Sequence, residues 1–319
     1  MCYSAQVEQE LKAVRNALKA EVDMAAFERV FRQRLEDDRI KIPKAMEANF
    51  YQPTNSQEQV IHDLISEYHQ RKTRELETGL FKQKARLVEA ERILKTKTTK
   101  KALTDQRVAT RKVQWSLDKI ADLKRTELKE SDARIYPFFY APVVISEGGH
   151  RFIRPMRYHC RPAGKPETYD RDYDGLYNAR RDNLEGFWRN QFGKTHGIVL
   201  MTGFYENVSR HRFEKRDLKE GEQEENVILH FNPKPAFQMK VACLWSRWEQ
   251  EGEESLESFA AITDEPPAEV LAAGHDRCII PIKDRYLDAW LEPQDQRPTD
   301  LYKLLNDRER PHYEHRMAA

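Results

Sequence analysis

Apolar residues near the start of the chain fall at helical spacing. Leu11, Val14, Leu18 and Val22 recur every three or four residues, and Phe27, Val30 and Leu35 continue a broken version of the stripe. That spacing predicts helix over about residues 5–36, ended by Ile42-Pro43. A longer helical pattern opens near Ser56, where Ser56-Gln57-Glu58-Gln59 has the serine and later glutamine of a capping box. Its stripe runs through Val60, Leu64, Leu76, Leu80, Leu87 and Leu94. The segment KTKTTKK, Lys95 to Lys101, breaks it with β-branched threonines and like charges, both poor in a helix interior. It reads as the turn of an antiparallel hairpin whose return helix holds Val113, Leu117, Ile120, Leu123 and Leu128. The hairpin is expected over about residues 56–130.

From about residue 134 the period changes. RIYPFFYAPVVIS and HRFIRPMRYHC are rich in aromatic and β-branched residues, and Glu147-Gly148-Gly149 between them suits a tight turn. Further strands are expected at HGIVLMTGFYENV, NVILHF, FQMKVACLW and SFAAIT, with helices at DNLEGFWRNQF and YLDAWLEP. The fold class is therefore α+β, with a largely antiparallel β core following a long helical region.

Composition narrows the partners. The 319 residues include 34% charged ones, with a net charge of only +1, so local charge matters more than the total. At the hairpin tip, Lys95, Lys97, Lys100, Lys101, Arg107, Arg111 and Lys112 face only Asp105; such a patch suits a polyanion or simply a solvated helix face. No run of about 18 apolar residues exists to span a bilayer, and the start lacks a secretory pattern. A cytoplasmic protein is expected. Cys2, Cys160, Cys243 and Cys278 lie far apart, with no spacing for a zinc site or disulfide framework. No metal or other cofactor is expected, so any cysteine chemistry rests on a single thiol.

Four stretches carry groups that a strand-rich core does not require: Cys2, YNARR at 177–181, GFYE at 203–206 and GHDR at 274–277. Each has a bland reading. Cys2 could be an arbitrary residue, Asn178 a turn residue, Arg180 and Arg181 a surface pair, Glu206 a solvated strand end and His275 a turn histidine. Their order changes the weighing. Met1-Cys2, Asn178-Ala179-Arg180, Gly203-Phe204-Tyr205-Glu206, and His275-Asp276-Arg277 ahead of a helix ending in Trp290-Leu291 together resemble the SOS response-associated peptidase family, the abasic-site processing proteins. AP at 141–142, RPMRY at 154–158 and ACLWSRW at 242–248 extend the resemblance.

The chain departs from the family where Tyr3-Ser4 replaces Gly-Arg, where Tyr158-His159 replaces Trp-Gly, and where Cys278-Ile279 replaces Met-Pro. The helical region is an insertion between Cys2 and the rest of the fold. The resemblance implies a catalytic domain of residues 1–4 plus 131–295, an insertion over 5–130 and a tail over 296–319.

It further implies that Cys2, exposed by removal of Met1, forms a thiazolidine crosslink with abasic sites in single-stranded DNA, with associated lyase and self-processing peptidase activity. The catalytic set would be Cys2, Asn178, Glu206 and His275. Arg180, Arg277, Arg157 and Tyr158 would bind DNA, with Trp245 and Trp248 as further stacking candidates. The alternative is a noncatalytic nucleic-acid or protein-binding module working through the helical arm.

Overall fold

Residues 3–318 are described by the structure, a computed structural model. Cys2, the expected nucleophile, lies outside the described residues. The chain divides into two compact units, one formed by residues 1–30, 38–49 and 129–319 and the other by 31–37 and 50–128.

The first unit is built on a sheet. Its strands are β1 (Ser4–Val7), β2 (Glu21–Val22), β3 (Arg134–Ile135), β4 (Tyr140–Glu147), β5 (His150–Tyr158) and β6 (Asn178–Arg180). They are followed by β7 (His196–Ser209), β8 (Asn226–Lys234), β9 (Met239–Trp248), β10 (Leu256–Asp264), β11 (Cys278–Ile279) and β12 (His312–Met317). Pairing runs β10-β5-β4-β7, and β9 joins β7 back to β10, so five strands close on themselves. All of these contacts are antiparallel except β5 with β10. Closure hides the strand edges, as in small barrels.

Alternation fills the interior. Val143 and Ile145, Val199 and Met201, Val241 and Cys243, and Phe259 and Ala261 are all buried in one cluster. The opposite face is also covered, because Val144, Ile198, Ala242, Leu244 and Ile262 are fully buried. Two buried faces explain why these strands read as continuous apolar runs.

Three sequence expectations shift. Residues 5–7, expected to start a helical stretch, instead join Ser4 in strand β1, whose Ala5 and Val7 belong to the sheet core. Helix α1 (Leu11–Leu18) follows and buries Leu11, Val14 and Leu18. The segment DNLEGFWRNQF forms no α-helix: its first two residues end a short 3-10 helix, Arg181–Asn183, and the rest is turns; Asn183 Oδ1 accepts the Phe187 N–H at 3.0 Å, a local side-chain bond that competes with helix. Residues 296–319 carry a helix, Pro298–Asn306, and β12, which pairs with β8 over six positions.

The second unit is dominated by a hairpin. Helix α2 (Met24–Glu36) begins in the first unit and ends in the second, α3 (Lys44–Glu47) belongs to the first, and α4 (Ser56–Leu94) and α5 (Lys100–Lys124) form the hairpin of the second. The cap of α4 is one residue earlier than expected: Asn55 accepts the Glu58 N–H, and the Glu58 carboxylate accepts the Thr54 N–H and hydroxyl. Thr99 caps α5 by accepting the Ala102 N–H. The buried residues of α5 are Ala102, Ala109 and Ser116, at spacings of seven, while Leu117 and Leu128 are exposed. Small side chains at one face let the two helices approach closely. Among the described residues no helix is long and apolar enough to cross a membrane.

Candidate active site

The site grows from the second half of β7. There Ser4 lies opposite Tyr205 on β1, and Glu206 lies opposite Leu229 on β8. Gly203 opens this half because nothing larger fits. A Cβ there would come within 2.7 Å of the Phe231 carbonyl oxygen and 2.6 Å of His230 Nε2. Glu206 then points to the core side of the sheet and is 1% exposed.

His275 reaches it from the loop before β11. Gly274 holds a φ of +95°, which favours glycine, and a Cβ there would sit 2.8 Å from Val208 Cγ1. This close approach to β7 brings His275 Nε2 to 3.0 Å from Glu206 Oε1. Both side chains are buried. The 3.0 Å contact is one of charge proximity and does not have hydrogen-bond geometry, yet a carboxylate and an imidazole side by side are the groups that serve as acid or base toward a third group.

Asn178 is the third buried polar side chain. Strand β6 runs parallel to β10, with Asn178 opposite Ala261. Among the described residues neither Asn178 Oδ1 nor Nδ2 has a hydrogen-bond partner. An amide buried in this way costs about 1–3 kcal/mol until something bonds to it. The preceding Tyr177 makes an edge contact with Tyr3, their ring centroids 6.1 Å apart, which ties β6 to the N-terminal segment.

The other thiols are poor nucleophiles. Cys160, Cys243 and Cys278 are all buried and free. Burial pushes the thiols of Cys160 and Cys278 up to about 12 and that of Cys243 well above its ordinary value. Among the described residues no cluster of His, Cys, Asp and Glu could hold a metal ion.

Residues 89–318 match the SOS response associated peptidase (SRAP) family. The chain belongs to the SRAP family. The match begins within α4, so Cys2 lies outside it, whereas Asn178, Glu206 and His275 lie inside. Curated proteins give no match.

Among solved structures, the SRAP chain is similar to an X-ray structure of a protein from Bacteroides thetaiotaomicron, at 16% identity and a TM-score of 0.46, covering 58% of this chain and 77% of that one. A protein from Bordetella bronchiseptica matches at 17% identity and a TM-score of 0.45, over 59% and 87% of the two chains. A phage-related protein from the same organism matches at 15% and 0.42, over 58% and 80%. Membership makes this a DNA-damage-associated SRAP protein.

The expected DNA-binding residues are placed unevenly. Arg180 is exposed and grips Asp182 through Nε at 3.1 Å and Nη2 at 2.7 Å; Arg277 Nη2 is 3.7 Å from the same carboxylate. Arg157 is nearly buried and donates to Asp170 and to the His159 carbonyl. Tyr158 corrects the sequence reading. Its ring faces the core with Met156, packs on Phe259 and Tyr177, and has no exposed face for a base. Trp248 is likewise buried, its indole N–H donating to the Lys165 carbonyl. Sequence reasoning missed Arg134, which reaches across from β3 to Ser4. No motif marks it.

Proposed function

We propose that this SRAP protein caps abasic sites in single-stranded DNA as a covalent thiazolidine formed by Cys2, after hydrolysis of the Met1–Cys2 bond frees its α-amine. The observation that carries the reading is the buried Glu206–His275 pair, 3.0 Å apart, one residue along β7 from the partner of Ser4. Ser4 is two residues from Cys2, a chain reach of about 7 Å.

The chemistry follows from an amine and a thiol on adjacent carbons. The amine adds to the C1′ aldehyde of the ring-opened sugar, and loss of water gives an imine. The thiol then adds to the imine carbon and its proton passes to nitrogen, closing a five-membered ring. Holding both groups on one residue makes the second step intramolecular, where effective molarities of about 10⁵ M and above are reached. An α-amine has a pKa of about 7.7–8.0, so part of it is neutral near neutral pH.

Each step needs a proton moved. Glu206 would deliver and remove protons at the amine and the sugar oxygen, while His275 would assist ring opening, imine formation and its reversal. Asn178, whose donor and acceptor are both unused among the described residues, would hold the Cys2 amine or the sugar hydroxyl. The imine also acidifies the C2′ proton, which opens a β-elimination of the 3′ phosphate as a lyase branch. Arg180 and Arg277 would meet backbone phosphates.

Mature protein mixed with an oligonucleotide carrying one abasic site should give a heat-stable conjugate on a denaturing gel. Cys2→Ala should abolish it, and intact mass should show one methionine missing from the active form. Absence of any conjugate from the methionine-free protein would sink the proposal.

A further inference from the structure

The arginines singled out by sequence all have carboxylate partners: Arg180 and Arg277 on Asp182, Arg157 on Asp170. Arg134 differs. Its Nε and Nη2 donate to Ser4 Oγ at 3.1 and 2.8 Å, and among the described residues no carboxylate lies within ion-pair distance. Nη1 has no hydrogen-bond partner among the described residues. The nearby Glu130 is taken by Arg316 at 2.8 Å.

The guanidinium also lies over two rings. Its Cζ sits 3.6 Å from the centroid of the Tyr205 ring and 4.8 Å from that of Tyr136. Tyr205 stacks in turn on His230 at 4.1 Å, and Tyr136 makes an edge contact with Tyr3. Two rings and the Ser4 hydroxyl therefore fix a positive charge that has no counterion among the described residues; Ser4 follows Cys2 by two positions in the sequence. An arginine held in this way loses little freedom when it binds an oxyanion, and its fork matches phosphate geometry.

We propose that Arg134 is a phosphate subsite, binding the DNA backbone phosphate beside the abasic sugar and so presenting the C1′ aldehyde to Cys2. The inference rests on the crosslinking reading above. Arg134 acts on binding and positioning, and moves no proton in the reaction. Its backbone pairing with Gln6, next to Ala5 and Ile135 in the β1–β3 ladder, anchors the subsite to the strand that carries the N-terminus.

The test compares wild type, Arg134→Gln and Arg134→Lys with two probes, an abasic single-stranded oligonucleotide and 2-deoxyribose, which has the aldehyde but no phosphate. With Arg134→Gln, affinity for single-stranded DNA should fall about 5–10-fold near 0.1 M salt. The slope of log affinity against log salt should shrink by about 0.7, the value for one lost phosphate contact on a single strand. Conjugation to subsaturating abasic DNA should slow with it, while conjugation to 2-deoxyribose, read by intact mass, stays at the wild-type rate. Arg134→Lys should keep the slope, since it keeps the charge.

An unchanged slope in Arg134→Gln, or an equal loss with 2-deoxyribose, would overturn the subsite, because a strut that only braces Ser4 and Tyr205 predicts those results. Should the glutamine variant fail to fold, a lysine variant whose salt slope drops by the same 0.7 would overturn it as well. Wild-type protein that conjugates neither probe would instead refute the crosslinking reading itself.

Discussion

At the scale of single residues, the site separates groups that work through charge from groups that work through shape. Glu206 and His275 are buried against each other, so removing one takes away a charge contact that the other makes inside the protein. Glu206→Gln keeps the shape and replaces a carboxylate with an amide that cannot carry a proton. It should fold with a melting temperature near wild type and slow conjugate formation about 10²-fold or more, timed on a gel. A rate within twofold of wild type would exclude Glu206 as the proton carrier. The three internal polar residues were legible because each sits in a short motif whose order is distinctive. Arg134 was not, since a solitary arginine before Ile135-Tyr136 has no local pattern, and its role depends on a hydroxyl 130 positions away.

At the scale of elements, the helices and strands were legible wherever one period ran unopposed. The pattern missed what holds the hairpin together. It selected Val113, Leu117 and Leu128, whereas α5 buries Ala102, Ala109 and Ser116. A stripe of small residues carries almost no hydrophobic signal, yet it is what closely packed helices require. Strand β1 was lost for a related reason: four residues are too few to show a period of two. Two substitutions test these elements. Thr99→Ala removes the cap on α5 and should cost about 1 kcal/mol, seen as faster hydrogen exchange of the first-turn amides Leu103 and Thr104. Gly203→Ala drives a methyl against the Phe231 carbonyl, which is backbone and cannot swing aside. It should cost at least about 1–3 kcal/mol by urea unfolding, and a variant as stable as wild type would mean that β7 and β8 can separate without loss.

At the scale of the whole molecule, burial of imidazoles sets how the fold responds to acid. His196 is the clearest case. The Gly193 N–H donates to its Nε2 at 2.8 Å and its Nδ1 contacts the Trp290 carbonyl at 2.9 Å, so it is a neutral tautomer, and burial lowers its pKa to about 3. His159, lowered by burial and by Arg157, and His230, lowered by burial, titrate at about 4. In the unfolded chain each would titrate near about 6.5. Between those values the unfolded state binds protons that the folded state refuses, so stability falls as pH drops below about 6.5 and levels off only at about 3–4. From pH 7 to pH 5 each histidine should remove about 2 kcal/mol. Glu257, raised by burial, opposes this lower in the range because its folded form takes up a proton more readily. Urea midpoints measured across pH 5–7 should therefore rise with pH. His230→Gln, though less stable at pH 7 for want of the Tyr205 stack, should follow a slope shallower by up to one proton. Parallel slopes for variant and wild type would show that His230 protonates in the folded protein as readily as in the unfolded chain.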